Sequence, residues 1–233
     1  MKLKICGITR DRELELLDGL AVDFVGLWHG VRGGHAELSL QACERLVAAA
    51  RTATRLQPVL VTLLSDVHAL EHAVARTRAP YVQLHGYQPP AFVAALRRVI
   101  PTTVCIIKAL HVREHRCLEA PLIGAYEKAG VDVFLVDAVD ARGQVGSTGQ
   151  TLDSEVTLAL ADRLVRPFLL AGGISEERRP DHAACIRHPR CLGVDVDTNA
   201  RGHDGGLDRA RIQAISRSWT SDEGGAHAEC ISR

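Results

Sequence analysis

The chain has 233 residues, and its 28 Lys and Arg balance 28 Asp and Glu, so the formal charge cancels to zero. That balance excludes recruitment of nucleic acid or anionic lipid by a global basic field, and leaves a small molecule as the expected partner. Hydrophobic residues make up 46% and aromatics only 4%, which suits a core of parallel strands and helices rich in Ala, Leu and Val.

Cysteines stand at 6, 43, 105, 117, 185, 191 and 230, an odd number without a CxxC pair. They read as reduced thiols of a cytoplasmic protein, not as a disulfide frame. The opening MKLKICGITR is too short in its apolar run for a secretory signal, and nowhere do 18 apolar residues follow one another.

Short apolar runs of strand length alternate with amphipathic stretches along the chain. The first run, 2–6, ends on the thiol of Cys6 and is followed by DRELELLDGL, which has helical spacing. Run 23–28 leads into SLQACERLVAAAR, with Ser39 as N-cap, and run 57–64 into DVHALEHAVARTR behind Asp66. Run 81–85 precedes PPAFVAALRRVI, and runs 103–109 and 132–137 follow. Asp153 opens DSEVTLALADRL, after which come runs 167–171 and 192–196. Behind the fifth run, His111 and His115 stand at i, i+4, a spacing that suits zinc on a helix. The charged residues around them read instead as a solvated helix, and no metal is expected.

Eight strand–helix units predict an α/β fold with a parallel sheet closed into a single (β/α)8 TIM barrel over residues 1–219. A doubly wound open sheet gives no reason for eight. The polar, Gly-rich stretch 220–233 reads as a disordered tail. In such barrels the chemistry sits where strands end, so Cys6, Trp28, His29, Leu64, His85, Lys108, Asp137, Gly172, Gly173, Asp195 and Asp197 form a predicted ring around one mouth.

The segments KICGIT, YVQLHG, IIKA, FLVDA, GSTGQTLD, LLAGGIS and GVDVDT resemble, in order and spacing, the phosphoribosylanthranilate isomerases of tryptophan biosynthesis. The resemblance implies an Amadori rearrangement, an aldose-to-ketose shift of an N-glycosylamine, without metal or organic cofactor. It places the general base at Cys6 and the general acid at Asp137. A thiol base calls for a lowered pKa, supplied by a nearby cation or amide dipoles, and a carboxylic acid for a raised one. Gln83 and His85 line the pocket in this reading. Lys108 is either a charge partner of the thiolate or an ion pair sealing the barrel. Gly149, Gly172, Gly173, Asp195, Asp197 and Thr198 fall where the substrate is held.

Three regions depart from the family pattern. Its GVDVSSG becomes GVDVDTN, so that Asp197 stands where a phosphate dianion is received. Like charges ~4 Å apart cost about 4 kcal/mol at an effective dielectric of about 20. The S-P-R segment, whose Arg pairs a carboxylate, becomes WHGVRGGHA, with Arg32 or His35 as substitutes, and GGTGKTFDW becomes GSTGQTLDS. The predicted function is therefore an isomerase of this type with a changed, sugar-derived substrate, acting as a monomer or homodimer. The alternatives are a phosphoribosylanthranilate isomerase proper and a barrel that binds a sugar-derived ligand without turnover.

Overall fold

A computed structural model describes residues 1–139 and 152–220. The strands are β1 (Lys2–Ile5), β2 (Phe24–Trp28), β3 (Gln57–Thr62), β4 (Tyr81–Leu84), β5 (Cys105–Arg113), β6 (Arg116–Cys117), β7 (Val133–Ala138), β8 (Phe168–Leu170) and β9 (Cys191–Val196). The helices are α1 (Asp11–Leu17), α2 (Leu40–Ala53), α3 (Val67–Thr77), α4 (Pro90–Val99), α5 (Ile123–Ala129), α6 (Ser154–Ala161), α7 (Ala183–Ile186) and α8 (Arg209–Thr220). Strands pair in the order β4-β3-β2-β1-β9-β8-β7-β5, and β4 pairs with β5 to close the ring. All the pairings in the ring are parallel, so the chain forms the expected (β/α)8 barrel. Among the described residues no helix is long and apolar enough to cross a membrane.

Parallel strands buried on both sides need apolar residues on both, and successive side chains supply them to opposite faces. Leu3, Ile5, Val25, Leu27, Phe134, Val136, Phe168 and Leu170 belong to the layer between barrel and helices. Each such side chain contributes ~1.5–3 kcal/mol on full burial, so Phe168→Ala alone costs ~3–5 kcal/mol. The alternate positions fill the interior. Its floor is Phe24, Tyr81, Ile107, Val133, Leu169 and Leu192, with Phe24 edge-on to Tyr81 at 5.2 Å between ring centroids. The expected caps form: Ser39 accepts from the Ala42 N–H, Asp66 from Ala69, and Asp153 from Glu155 and Val156.

Two boundaries differ from expectation. The segment around His111 and His115 is no helix: β5 continues to Arg113 and folds back on β6, with Val112 opposite Cys117 and Arg113 opposite Arg116. On its other edge Val112 lies opposite Ala138 of β7, so extended backbone is hydrogen-bonded on both sides where a helix would leave β7 unpaired. His111 is fully buried in the strand, whereas His115 is exposed on the turn and pairs with Asp153 at 2.6 Å, so the two share no face. At the other boundary α8 runs through Thr220; the rest of the expected tail, 221–233, lies outside the described residues.

Candidate active site

Cys6 follows β1 directly and is 6% exposed. Two donors reach its sulfur: Lys4 Nζ at 3.2 Å and Trp28 Nε1 at 3.1 Å. Lys4 points the same way as Cys6 because residues two apart in a strand share a face. Its ammonium is fully buried and also donates to Asp195 Oδ2 of β9 at 2.7 Å, across the register that sets Lys4 opposite Asp195. Gly26 makes this possible. A Cβ there would stand 2.5 Å from Cys6 Sγ and 3.2 Å from Lys4 Nζ, so only glycine leaves the space.

Burial pushes the Cys6 thiol up to about 12 and outweighs the downward pull of Lys4; Asp195 and Asp197 push it the same way as burial. The expected lowering is therefore not found, because desolvation penalises a thiolate more than one shared cation favours it. Burial also works against the Lys4 charge, but Asp195 and Cys6 beside it hold the ammonium above its ordinary value. The Asp195 carboxyl is raised by burial, against the opposing effect of Lys4.

Asp137, one residue before the end of β7, lies in a strand buried throughout and is 6% exposed. His85 Nε2 stands 3.2 Å from its Oδ2. On the other side of that ring, Gln83 Nε2 lies 2.9 Å from Nδ1. An amide nitrogen only donates, so Nδ1 accepts and the ring proton faces Asp137. Gln83, His85 and Asp137 thus form one chain of contacts, apart from the one around Cys6.

Lys108 does not support the thiolate. Its Nζ is fully buried, donates to the carbonyls of Gly86, at 2.8 Å, and Ala109, and lies 4.0 Å from Glu119 Oε1 and 5.3 Å from the centroid of the Tyr126 ring. Burial lowers it to about 8, with Glu119 opposing. Glu119 in turn accepts from the His111 N–H and meets His111 Nδ1 at 2.5 Å. This is the sealing role rather than the charge-partner one.

At the other side of the mouth, Gly172 and Gly173 follow β8 with φ of 82° and 66°, a left-handed pair that turns the chain sharply. The 3₁₀ turn Thr198–Ala200 follows β9 without a side-chain cap on its first amides. Asp197 is not bare. Arg201 Nε donates to its Oδ1 at 2.8 Å and His35 Nε2 stands 3.3 Å from its Oδ2. Arg201 Nη2 donates further to the carbonyls of Cys6, at 3.2 Å, and Gly7, at 2.8 Å. The cation that answers the carboxylate at 197 thus sits four residues on, and the like-charge argument for a changed substrate loses its ground.

His35 rests edge-on against Trp28, with ring centroids 4.7 Å apart, so it belongs to this rim, while Arg32 is exposed. Asp195 lies below the rim, 7% exposed and paired with Lys4. Gly149 lies outside the described residues. Trp28 belongs to the predicted ring around the mouth, whereas Lys4 and Arg201 are site-forming residues that the sequence alone does not place there.

Residues 4–216 match the family model for N-(5′-phosphoribosyl)anthranilate (PRA) isomerase. The chain belongs to the phosphoribosylanthranilate isomerase family. It is 32% identical over 216 residues to an N-(5′-phosphoribosyl)anthranilate isomerase of Thermosynechococcus vestitus, covering 91% of this chain and 87% of the relative. An N-(5′-phosphoribosyl)anthranilate isomerase 2 of Methanosarcina mazei is 28% identical, with 91% of each chain covered. The solved phosphoribosyl anthranilate isomerase of Thermococcus kodakaraensis superposes with a TM-score of 0.70 at 27% identity, over 92% of this chain and 96% of that one. The Thermotoga maritima isomerase gives a TM-score of 0.74 at 22% identity, over 94% and 98%, a likeness of fold. As a phosphoribosylanthranilate isomerase family member the chain is an aldose–ketose isomerase.

Proposed function

We propose that this isomerase acts on N-(5′-phosphoribosyl)anthranilate itself, as the tryptophan-pathway relatives do by name, and not on a changed substrate. The observation that carries the reading is the pairing of Asp197 with Arg201, which removes the main obstacle to a phosphate at this rim.

In this reading the phosphate lies against the Gly172–Gly173 turn and the first amides of the turn at Thr198, where N–H groups receive an anion. Asp137 protonates the furanose ring oxygen, and the C–O bond opens to a Schiff base. His85 then holds the carboxylate that remains, its N–H directed by Gln83. Cys6 takes the C2 proton, and the electron pair moves to give the enolamine, which tautomerises to the ketose. The thiol and the acid stand on strands three places apart around the ring, β1 and β7, so one sugar is flanked by both. In this reading His35, edge-on to Trp28, meets the anthranilate end.

Steady-state turnover of phosphoribosylanthranilate tests this. Wild type should reach ~1–10³ s⁻¹, the range usual for metabolic enzymes. Cys6→Ala and Asp137→Asn should each lose ~10²-fold or more while keeping the native circular dichroism spectrum. Absence of turnover in a folded wild-type protein would return the changed-substrate reading; near-normal turnover in either variant would remove that residue from its role.

A further inference from the structure

The thiol is surrounded by fixed charges of both signs, and the fold places them with different reach. Lys4 Nζ touches Sγ at 3.2 Å. Asp195 touches Lys4, at 2.7 Å from Nζ, and not the sulfur, on which its charge acts from further off, and its second oxygen, Oδ1, is buried without a hydrogen-bond partner. Neither Lys4 nor Asp195 opens to solvent, and neither is free to move: one is 0% and the other 7% exposed, in adjacent strands held in register. A buried, ungated ammonium–carboxylate pair set under a nucleophile-sized thiol serves no need of packing, since apolar side chains of the same volume do that at least as well.

We propose that Lys4 and Asp195 are positioning residues that act on the reaction through Cys6: Lys4 draws the thiol toward thiolate, and Asp195 holds Lys4 in place while limiting that pull. The inference rests on the reading of Cys6 as the base. Around the sulfur, β1 contributes Lys4, β2 the neutral N–H of Trp28, and β9 Asp195 with Asp197 beyond it, the last paired with Arg201 and His35. His85, just after β4, and Asp137 of β7 act on Asp195 in opposite senses. Among these groups Lys4 acts most strongly on the thiol and in the opposite sense to the carboxylates. Lys4 is thus the charge that opposes burial at the thiol. Removing the C2 proton turns a thiolate into a neutral thiol, and Lys4 raises the share of the sulfur that is thiolate before that step, without leaving its hydrogen bond to Asp195.

The two residues therefore predict opposite signs, which a merely structural role does not. The pH at which the Cys6 thiolate forms is read from its ultraviolet absorbance, as the difference between each protein and the same protein carrying Cys6→Ala, with no substrate present. Lys4→Met should move that pH up by ~1 unit or more, because a contacting opposite charge is worth ~1–3 units, and Asp195→Asn should move it down, because it removes a like charge while Lys4 stays on the sulfur. The rising limb of the kcat/KM profile should follow in the same directions, with Lys4→Met losing ~10-fold or more at neutral pH. Lys4→Met leaves a lone buried carboxylate and is the variant most at risk of not folding. The double variant Lys4→Met, Asp195→Asn keeps the interior neutral, and in it the thiolate should form above the wild-type pH, since Lys4 is the nearer charge. Shifts of one sign in both single variants, no shift in either, or a double variant at or below wild type would each overturn the proposal. The titration needs no substrate, so its failure is distinguishable from a failure of the substrate assignment, which shows only in turnover.

Discussion

Arg201 offers the sharpest test of how this rim tolerates an anion. Replacing it by Met removes the guanidinium that binds Asp197 Oδ1 at 2.8 Å and the Cys6 and Gly7 carbonyls at 3.2 and 2.8 Å. Asp197 then faces an incoming phosphate without the guanidinium, with the half-exposed His35 ring 3.3 Å from its Oδ2. A like charge ~4 Å away costs about 4 kcal/mol at an effective dielectric of about 20, and the guanidinium at the same range offsets a similar amount. Salt and the partial exposure of the rim reduce the uncompensated cost to ~2 kcal/mol, which is ~30-fold in KM at ~1.4 kcal/mol per decade. Steady-state kinetics with phosphoribosylanthranilate should thus show KM up ~30-fold in Arg201→Met and changed by less than ~5-fold in Asp197→Ser. In the double variant KM should return toward wild type, because the carboxylate that Arg201 answered is gone. The reasoning is refuted by an unchanged KM in Arg201→Met, or by an Asp197→Ser variant that binds substrate more than ~10-fold tighter than wild type.

Three further outcomes are expected. Gly26→Ala drives a methyl to 2.5 Å from Cys6 Sγ, so kcat should fall ~10-fold or more and the thermal midpoint should drop by several degrees, read by differential scanning calorimetry. Gln83→Leu removes the amide that fixes the His85 ring at 2.9 Å and should lower kcat more than it raises KM; a variant with wild-type kcat would show that Asp137 needs no oriented histidine. Stability should fall as pH rises from about 9 toward 12: burial raises Cys43 and Cys191 from 9.0 to about 12, so their contribution is full below the unfolded value and lost as pH passes the folded one. Lys108, lowered to about 8, works the other way between 8 and 10.5, and urea midpoints of Cys43→Ala should decline less steeply with pH than those of wild type.

The barrel was legible because its eight strands read as apolar runs and its helices announced themselves by caps at Ser39, Asp66 and Asp153. The β5–β6 hairpin was not, since i, i+4 spacing of His111 and His115 imitates a helix face, while the competing signal, a buried Val112 beside an exposed Arg113, is a single step of alternation. Cys6 and Asp137 stood out as reactive groups at strand ends. Lys4 did not, because KLKI reads equally well as a strand with its lysines outward. The decisive clue lay 191 positions away, in the matching alternation of Asp195 and Asp197, and only register pairs the two strands. Arg201 was hidden for a different reason: it acts from a turn, where neither the strand nor the helix period applies, and its one local sign is a spacing of four from Asp197.

The contacts that give Cys6 its surroundings join the two ends of the described barrel: Lys4 to Asp195 over 191 positions, and Arg201 to the carbonyls of Cys6 and Gly7 over 195 and 194. Contacts of such sequence separation carry the largest loop-closure cost and reward the chain only when the ring shuts. A half-made barrel, or one still waiting for β9, carries a lysine and a cysteine in its first strand with neither Asp195 nor Arg201 to hold them. The thiol acquires its chemical character in the same event that seals the sheet, so an incompletely folded chain presents an ordinary cysteine.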